Sequence, residues 1–214
     1  MQAAIYLDNS ATTAVLPEVA AAMHKMLVEN YGNPSSLHGL GVAAEKALSH
    51  ARRQVAALIG CRPVEIYFTS GGTEANNWAI WGLCRARRRQ GRHIITTAIE
   101  HPSLLAACRR LESEGYEVTC LPVDSRGVIR PADLEAVLRD DTILVSIMSV
   151  NNKMGSLQPL EEVARLVHNK SRAALHVDHI QGYGKIPLNC QELNIDLMSL
   201  SAHKIHGPKG CGAL

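Results

Sequence analysis

Short apolar runs of strand length alternate with stretches of helical periodicity along nearly the whole chain, and no other feature narrows its fold as much. Strand candidates fall at residues 65–69, 93–97, 117–121, 142–149, 173–178 and 195–200. Helical patterns lie between them at 74–89, 103–113, 131–139 and 160–170, preceded by helices at 17–29 and about 41–59. Pro17 opens the first helix, and Pro122, Gly127 and Pro159 fall between elements, where breakers belong. This order predicts a mainly parallel sheet covered by helices, a three-layer α/β/α architecture.

Open α/β sheets bind ligands at the carboxyl ends of their strands, so the residues just past each apolar run carry the functional information. His176-Val177-Asp178-His179-Ile180-Gln181 follows such a run. A carboxylate at Asp178 can pair with a pyridinium nitrogen, and its ordinary alternative is a cap on the next turn. Ser201-Ala202-His203-Lys204 opens a loop that runs through His206 to Gly210 and reads as a lysine presented beside phosphate-binding groups. A lysine that carries carbonyl chemistry needs a sequestered amine with hydroxyl and imidazole donors nearby, which suits pyridoxal phosphate. A lone lysine in a Gly-rich turn is otherwise solvated charge. The segment from Phe68 through Ser70-Gly71-Gly72-Thr73 to Asn77 runs from a strand into a helix whose free amides suit a phosphate, or is an unremarkable capped turn. Glu100-His101-Pro102-Ser103 puts an imidazole at another strand's end, either as a stacking and proton-moving group or as a cap.

Taken together, these segments make the chain resemble the cysteine desulfurases, the NifS and IscS-like branch of the class V aminotransferase group. The resemblance begins at Tyr6-Leu7-Asp8-Asn9-Ser10-Ala11-Thr12-Thr13 and continues through Gly32-Asn33-Pro34-Ser35-Ser36, the segment from Ser70 to Asn77, Glu100-His101 and Val150-Asn151-Asn152. It ends in His176 to Gln181 and Ser201 to Gly210. It implies the large domain of an aspartate aminotransferase-like, pyridoxal phosphate-dependent transferase, with the cofactor on Lys204. His101 would stack on the ring and relay protons, and Asp178 would pair with the ring nitrogen. Gln181 would donate to the phenolic oxygen, and Asn152 would lie by that oxygen and the substrate. Gly72, Thr73, Ser201 and His203 would cradle the phosphate, and Asn33 would lie near the substrate entrance. No metal is implied.

Two positions depart from the family pattern: Lys153 where glutamate is usual, and His179 where a small residue is usual. The latter adds a group with an unperturbed pKa near ~6.5 beside Asp178, although strand alternation can point it away from the cofactor. Relatives carry, beyond the lysine loop, the end of the large domain and a smaller C-terminal domain bearing a nucleophilic cysteine and a carboxylate-binding arginine. Neither has a counterpart before Leu214, and Cys211 reads as a small core residue. An apolar strand at the terminus would leave an unpaired edge, which favours a truncated enzyme over a short natural product.

The expected organisation is an N-terminal arm at 1–33 and a pyridoxal phosphate-binding large domain at 34–214, assembled as a homodimer. The resemblance implies L-cysteine as substrate, alanine and enzyme-bound persulfide sulfur as products, and a sulfur acceptor or iron-sulfur scaffold protein as partner. A selenocysteine lyase, another class V enzyme, or a non-catalytic cofactor-binding or scaffold chain are the alternatives. A net charge of +2 from 22 basic and 20 acidic residues gives no general pull toward nucleic acid or anionic membrane. Six cysteines without C-x-x-C spacing read as reduced, mostly buried thiols in a cytoplasmic protein. The arginines from Arg85 to Arg92 read as a solvated helix end, with docking of an acidic partner as the lesser alternative.

Overall fold

The structure is a computed structural model that describes residues 5–214; the first four residues of the expected arm lie outside the described residues. Seven strands form one sheet: β1 (Phe68–Thr69), β2 (His93–Thr97), β3 (Glu117–Leu121), β4 (Thr142–Met148), β5 (Ala174–Asp178), β6 (Leu197–Ser201) and β7 (Gly212–Ala213). Their spatial order is β1-β7-β6-β5-β4-β2-β3. The neighbours from β3 to β6 pair in parallel, and β7 runs antiparallel to both β6 and β1. Helices α1 (Pro17–Val28), α2 (Gly39–Ile59), α3 (Gly72–Asn77), α4 (Leu83–Ala86), α5 (Pro102–Ser113), α6 (Pro131–Val137) and α7 (Leu160–Lys170) complete the fold.

Every residue of β4 and β5 is buried, as expected of central parallel strands covered on both sides. One face packs Val145, Ile147, Leu175 and Val177 against α2, α6 and α7. The other packs Ile94, Ile143 and Leu144 against α5 and the segment from α3 to α4. Helix α7 follows its apolar spacing, burying Leu160, Val163, Ala164 and Val167, with Glu161 and Glu162 in its first turn and His168 and Lys170 in its last, as the helix dipole favours. These layers make the predicted three-layer arrangement.

Three expectations change. The strand at 65–69 shrinks to Phe68–Thr69, because Pro63–Glu65 closes a 3-10 turn in which the Glu65 carboxylate accepts from Arg62 N at 2.8 Å. The helix at 74–89 starts at Gly72, widens into a π-turn over Trp78–Gly82 and ends at Ala86. The terminal strand is not an edge: β7 lies between β6 and β1, and Leu214 exchanges backbone hydrogen bonds with Tyr67. Around the turn after α4, Arg85 lies 5.0 Å from the Trp81 ring centre and Arg87 donates to Arg172 O at 2.8 Å, so part of the arginine cluster is spent on its own scaffold.

Residues 8–16 run as a strap over the lysine loop. Thr13 donates from both N and Oγ1 to His203 O at 2.9 Å, and Leu16 N donates to His206 O at 3.1 Å. None of the twelve residues of α1 beyond the strap is buried against the other described residues.

Candidate functional site

A cavity of about 250 Å³ opens at the carboxyl ends of β4, β5 and β6, lined by Gly72, Thr73, His101, Met148, Asn152, Asp178, Ile180, Gln181, Ser201, His203 and Lys204, with Ala11 from the strap. Nine of the ten residues singled out for the site therefore meet in one place, although they come from five separate segments of the chain. Asn33 does not join them. It lies exposed before α2, where its Oδ1 accepts from Ser35 N at 2.9 Å in a local turn.

Asp178 ends β5 and is 4% exposed. Its Oδ2 accepts from Asn76 Nδ2 at 2.8 Å and its Oδ1 from Ile180 N at 3.1 Å. Burial pushes this carboxyl up, against the pull of those two donors and of the nearby His101 and Lys204. A cation brought into the cavity would complete the balance, because a buried carboxylate favours a charged partner.

Asn76, on α3, also donates to Ser103 Oγ at 3.3 Å, and Ser103 Oγ lies 2.7 Å from His101 Nδ1. Ser103 N donates to the same Nδ1 at 3.1 Å. An Nδ1 that accepts from an amide cannot itself carry a proton, so a neutral His101 ring carries its proton on Nε2. His101 is thus both readings at once, a cap on α5 and a wall of the cavity. Asn76 and Ser103, which join it to Asp178, fall inside the motif segments but carried no assigned role in the sequence. An asparagine inside a helix, where its propensity is poor, was the available hint.

Lys204 Nζ donates to Ser10 O at 2.5 Å and Ala11 O at 2.7 Å, and Gln181 Nε2 donates to Ser10 O at 2.8 Å. The strap therefore holds both groups. Burial and the Lys185 charge lower the Lys204 pKa from the ordinary lysine value, which raises the fraction of nucleophilic free amine. His203 Nδ1 lies 3.1 Å from Thr12 Oγ1.

On the remaining wall, Ser201 Oγ is buried and has no partner among the described residues. Gly71, just before α3, adopts φ 149°, which a side chain would strain, and a Cβ added at Gly212 would lie 2.7 Å from Gly71 Cα. The glycines keep β7 and the turn into α3 in close contact beside that hydroxyl. An unpartnered hydroxyl, an imidazole and the residues opening α3 form a donor set that fits a phosphate, while Asp178 fits a protonated ring nitrogen and Lys204 a carbonyl carbon. The chemistry of the lining thus fits pyridoxal phosphate.

The departures lie elsewhere. His179 is 2% exposed and turned away from the cavity, with Nδ1 2.8 Å from Ser149 Oγ. Burial pushes its pKa down to about 4, so it does not titrate near its ordinary value beside Asp178. Lys153 is exposed and forms no ion pair among the described residues. Cys84, Cys108 and Cys190 are buried with thiols pushed up to about 12, Cys61 and Cys211 are half-buried, and Cys120 is exposed. Among the described residues no group of three His, Cys, Asp or Glu is placed to hold a metal ion, and no helix is long and apolar enough to cross a membrane.

Residues 5–214 match the family described as aminotransferase class-V. The cysteine desulfurase IscS of Methanosarcina thermophila is 49% identical over 211 residues, covering 99% of this chain and 52% of its own length. The mitochondrial cysteine desulfurase of Arthroderma benhamiae is 51% identical over 212 residues, covering 98% of this chain and 42% of its own. Among solved structures, a NifS-like protein superposes with a TM-score of 0.95 at 44% identity, covering 98% of this chain and 58% of that one. SspA in complex with cysteine does so with 0.93 at 38% identity, covering 97% and 60%. The chain spans about half the length of the curated relatives it matches.

Proposed function

The chain belongs to the aminotransferase class-V family, and from that premise we propose that it is the cofactor-binding portion of a pyridoxal phosphate-dependent cysteine desulfurase. The observation that carries this reading is the meeting of Lys204, His101, Asp178 and Gln181 with the donors Thr73, Ser201 and His203 in one cavity. In it Asp178 would hold the ring nitrogen, Lys204 the carbonyl end, Gln181 and Asn152 the ring oxygen, and Gly72, Thr73, Ser201 and His203 the phosphate. The bound cofactor supplies an electron sink for charge developing at the α-carbon of an amino acid.

The rest follows from the chain's own groups. Asp178, fixed by Asn76 and Ile180, would as the carboxylate pair with the ring nitrogen and favour its protonated form. His101, anchored through Nδ1, presents Nε2 as the atom at which a proton is held or moved. Lys204, with its lowered pKa, offers a free amine that also takes and returns a proton at Nζ. Loading requires Lys204 and Gln181 to leave Ser10 O, and the strap's contacts with His203 and His206 can persist while they do.

In this reading the substrate is L-cysteine and the sulfur passes to a cysteine thiolate outside these 214 residues, since the thiolate and not the thiol is the nucleophile. Residues 1–33 then act as an arm and 34–214 as the cofactor-binding unit of a cytoplasmic homodimer, which delivers sulfur to an acceptor or iron-sulfur scaffold protein. The test is to read the coding sequence past Leu214 and incubate its product with L-cysteine and a thiol reductant. Stoichiometric alanine and sulfide, absent with Lys204→Ala, support the reading. Turnover of selenocysteine with cysteine nearly inert would shift it to a selenocysteine lyase.

A further inference from the structure

Glu100 is 4% exposed, yet the mechanism above gives it no part. Its Oε1 accepts from Thr97 Oγ1 at 2.7 Å and from Met148 N at 2.9 Å. Those partners sit at the ends of β2 and β4, neighbours in the sheet, and the next residue along is His101. The carboxyl therefore ties the turn that carries His101 to the strand end that carries Met148, and both of those residues line the cavity.

Its second oxygen is different. Oε2 is sealed from solvent and has no partner among the described residues. A buried carboxylate needs donors or a cation at its oxygens, and one left half satisfied favours the protonated, uncharged acid. The charged or titratable groups around it push the same way or leave it unopposed: Asp178 on β5 adds repulsion, Cys108 on α5 is a thiol that burial pushes up to about 12, and partial desolvation raises the pKa of the exposed Cys120 on β3. His101 on its own turn directs Nδ1 to Ser103. Burial pushes the Glu100 carboxyl up to about 8.

We propose that Glu100 is a positioning residue carried as the neutral acid, which holds the His101 turn against β4 and leaves Asp178, both of whose oxygens accept hydrogen bonds, as the buried carboxyl that faces the cavity. Glu100 and Asp178 are the only acidic side chains buried among the described residues. The consequence for the cavity rests on the cofactor reading above; the protonation state does not.

The test uses the cofactor-free chain with ¹³C-labelled glutamate side chains, wild type beside Glu100→Gln. One carboxyl resonance, missing from the Gln variant, should titrate near pH 8; a midpoint below about 5, the ordinary glutamate range, overturns the proposal. Relative to Glu100→Gln, wild type should lose stability to urea as pH rises from about 5 to 8, because the unfolded chain releases this proton near the ordinary value and the folded chain holds it. Pyridoxal phosphate affinity at pH 7 separates positioning from bulk stability. Glu100→Gln keeps an acceptor oxygen for Thr97 and Met148 and should bind within about threefold of wild type, whereas Glu100→Ala should bind about tenfold more weakly. Equal binding by the Ala variant overturns the positioning role, and should that variant not fold, the Gln variant and the titration still decide. If wild type itself bound no cofactor, the functional reading would fail while the midpoint still reported on Glu100.

Discussion

The two faces of the central sheet are built from the same strands and bury different things. Toward α2, α6 and α7, β4 and β5 present Val145, Ile147, Leu175 and Val177 to a continuous apolar core. On the opposite face the alternate positions of the same strands are Ser146, Met148, His176 and Asp178, with Ser199 and Ser201 beside them on β6. There Ser146 Oγ lies 2.7 Å from His176 Nδ1, and His176 Nε2 lies 2.9 Å from Ser199 Oγ, a row that spans three strands directly below Asp178. Burial pushes the His176 pKa down to about 3, so the ring stays neutral and spends its donor and acceptor on the two serines. One face is stabilised by apolar area, while on the other Ser146, His176 and Ser199 satisfy one another and Thr96 Oγ1 and Ser201 Oγ have no partner among the described residues.

If the faces divide labour in this way, substitutions should separate them. Ile147→Ala, on the apolar face, should reduce stability by about 2–5 kcal/mol in urea unfolding and leave the folded protein's affinity for pyridoxal phosphate nearly unchanged. Asp178→Ala, on the other face and paired in register with the next residue, Met148, should do the reverse. Cofactor affinity should fall about 100-fold in an absorbance titration, as when one member of a buried charged pair is removed, with little loss of stability because a buried carboxyl goes with it. Equal loss of binding from both substitutions would collapse the distinction.

A third substitution sharpens the boundary between site and scaffold. His179 neighbours Asp178 in sequence but bonds to Ser149 away from the cavity, and its folded pKa, about 4, lies below its ordinary value of 6.5. The unfolded chain binds this proton first on acidification, so the contribution is present above about pH 6.5 and is lost as pH falls toward 4, by roughly 1.4 kcal/mol per pH unit. His179→Ala should flatten that part of the stability profile without altering the pH dependence of cofactor binding near neutrality. A changed binding profile would mean that the residue is coupled to the site after all.

Much of the scaffold was legible because strands and helices here obey their own periods. Residues 93–97, 117–121 and 160–170 needed no tertiary information, being apolar runs or amphipathic stretches flanked by breakers. Residues 65–67 misled, since Ile66 and Tyr67 have strand character but the Arg62 and Glu65 pairing closes a local turn first. Lys204, Asp178 and His101 were readable because each lies at the end of a strand or within four residues past it. Asn76, Ser103 and Glu100 were not, as their roles depend on which strand ends become neighbours, and the order β5-β4-β2 is a property of the folded sheet. Asn33 marks the opposite case, a motif residue whose described surroundings are a local turn away from the cavity.

In the proposed reading, the polar face ends in a pyridoxal phosphate site anchored by Lys204. The most direct test is the visible absorbance of the purified chain with added pyridoxal phosphate, recorded beside Lys204→Ala, before and after L-cysteine. A band that depends on Lys204 and shifts with cysteine is the expected result. A band of equal strength in the Lys204→Ala protein, or none in either, would contradict it.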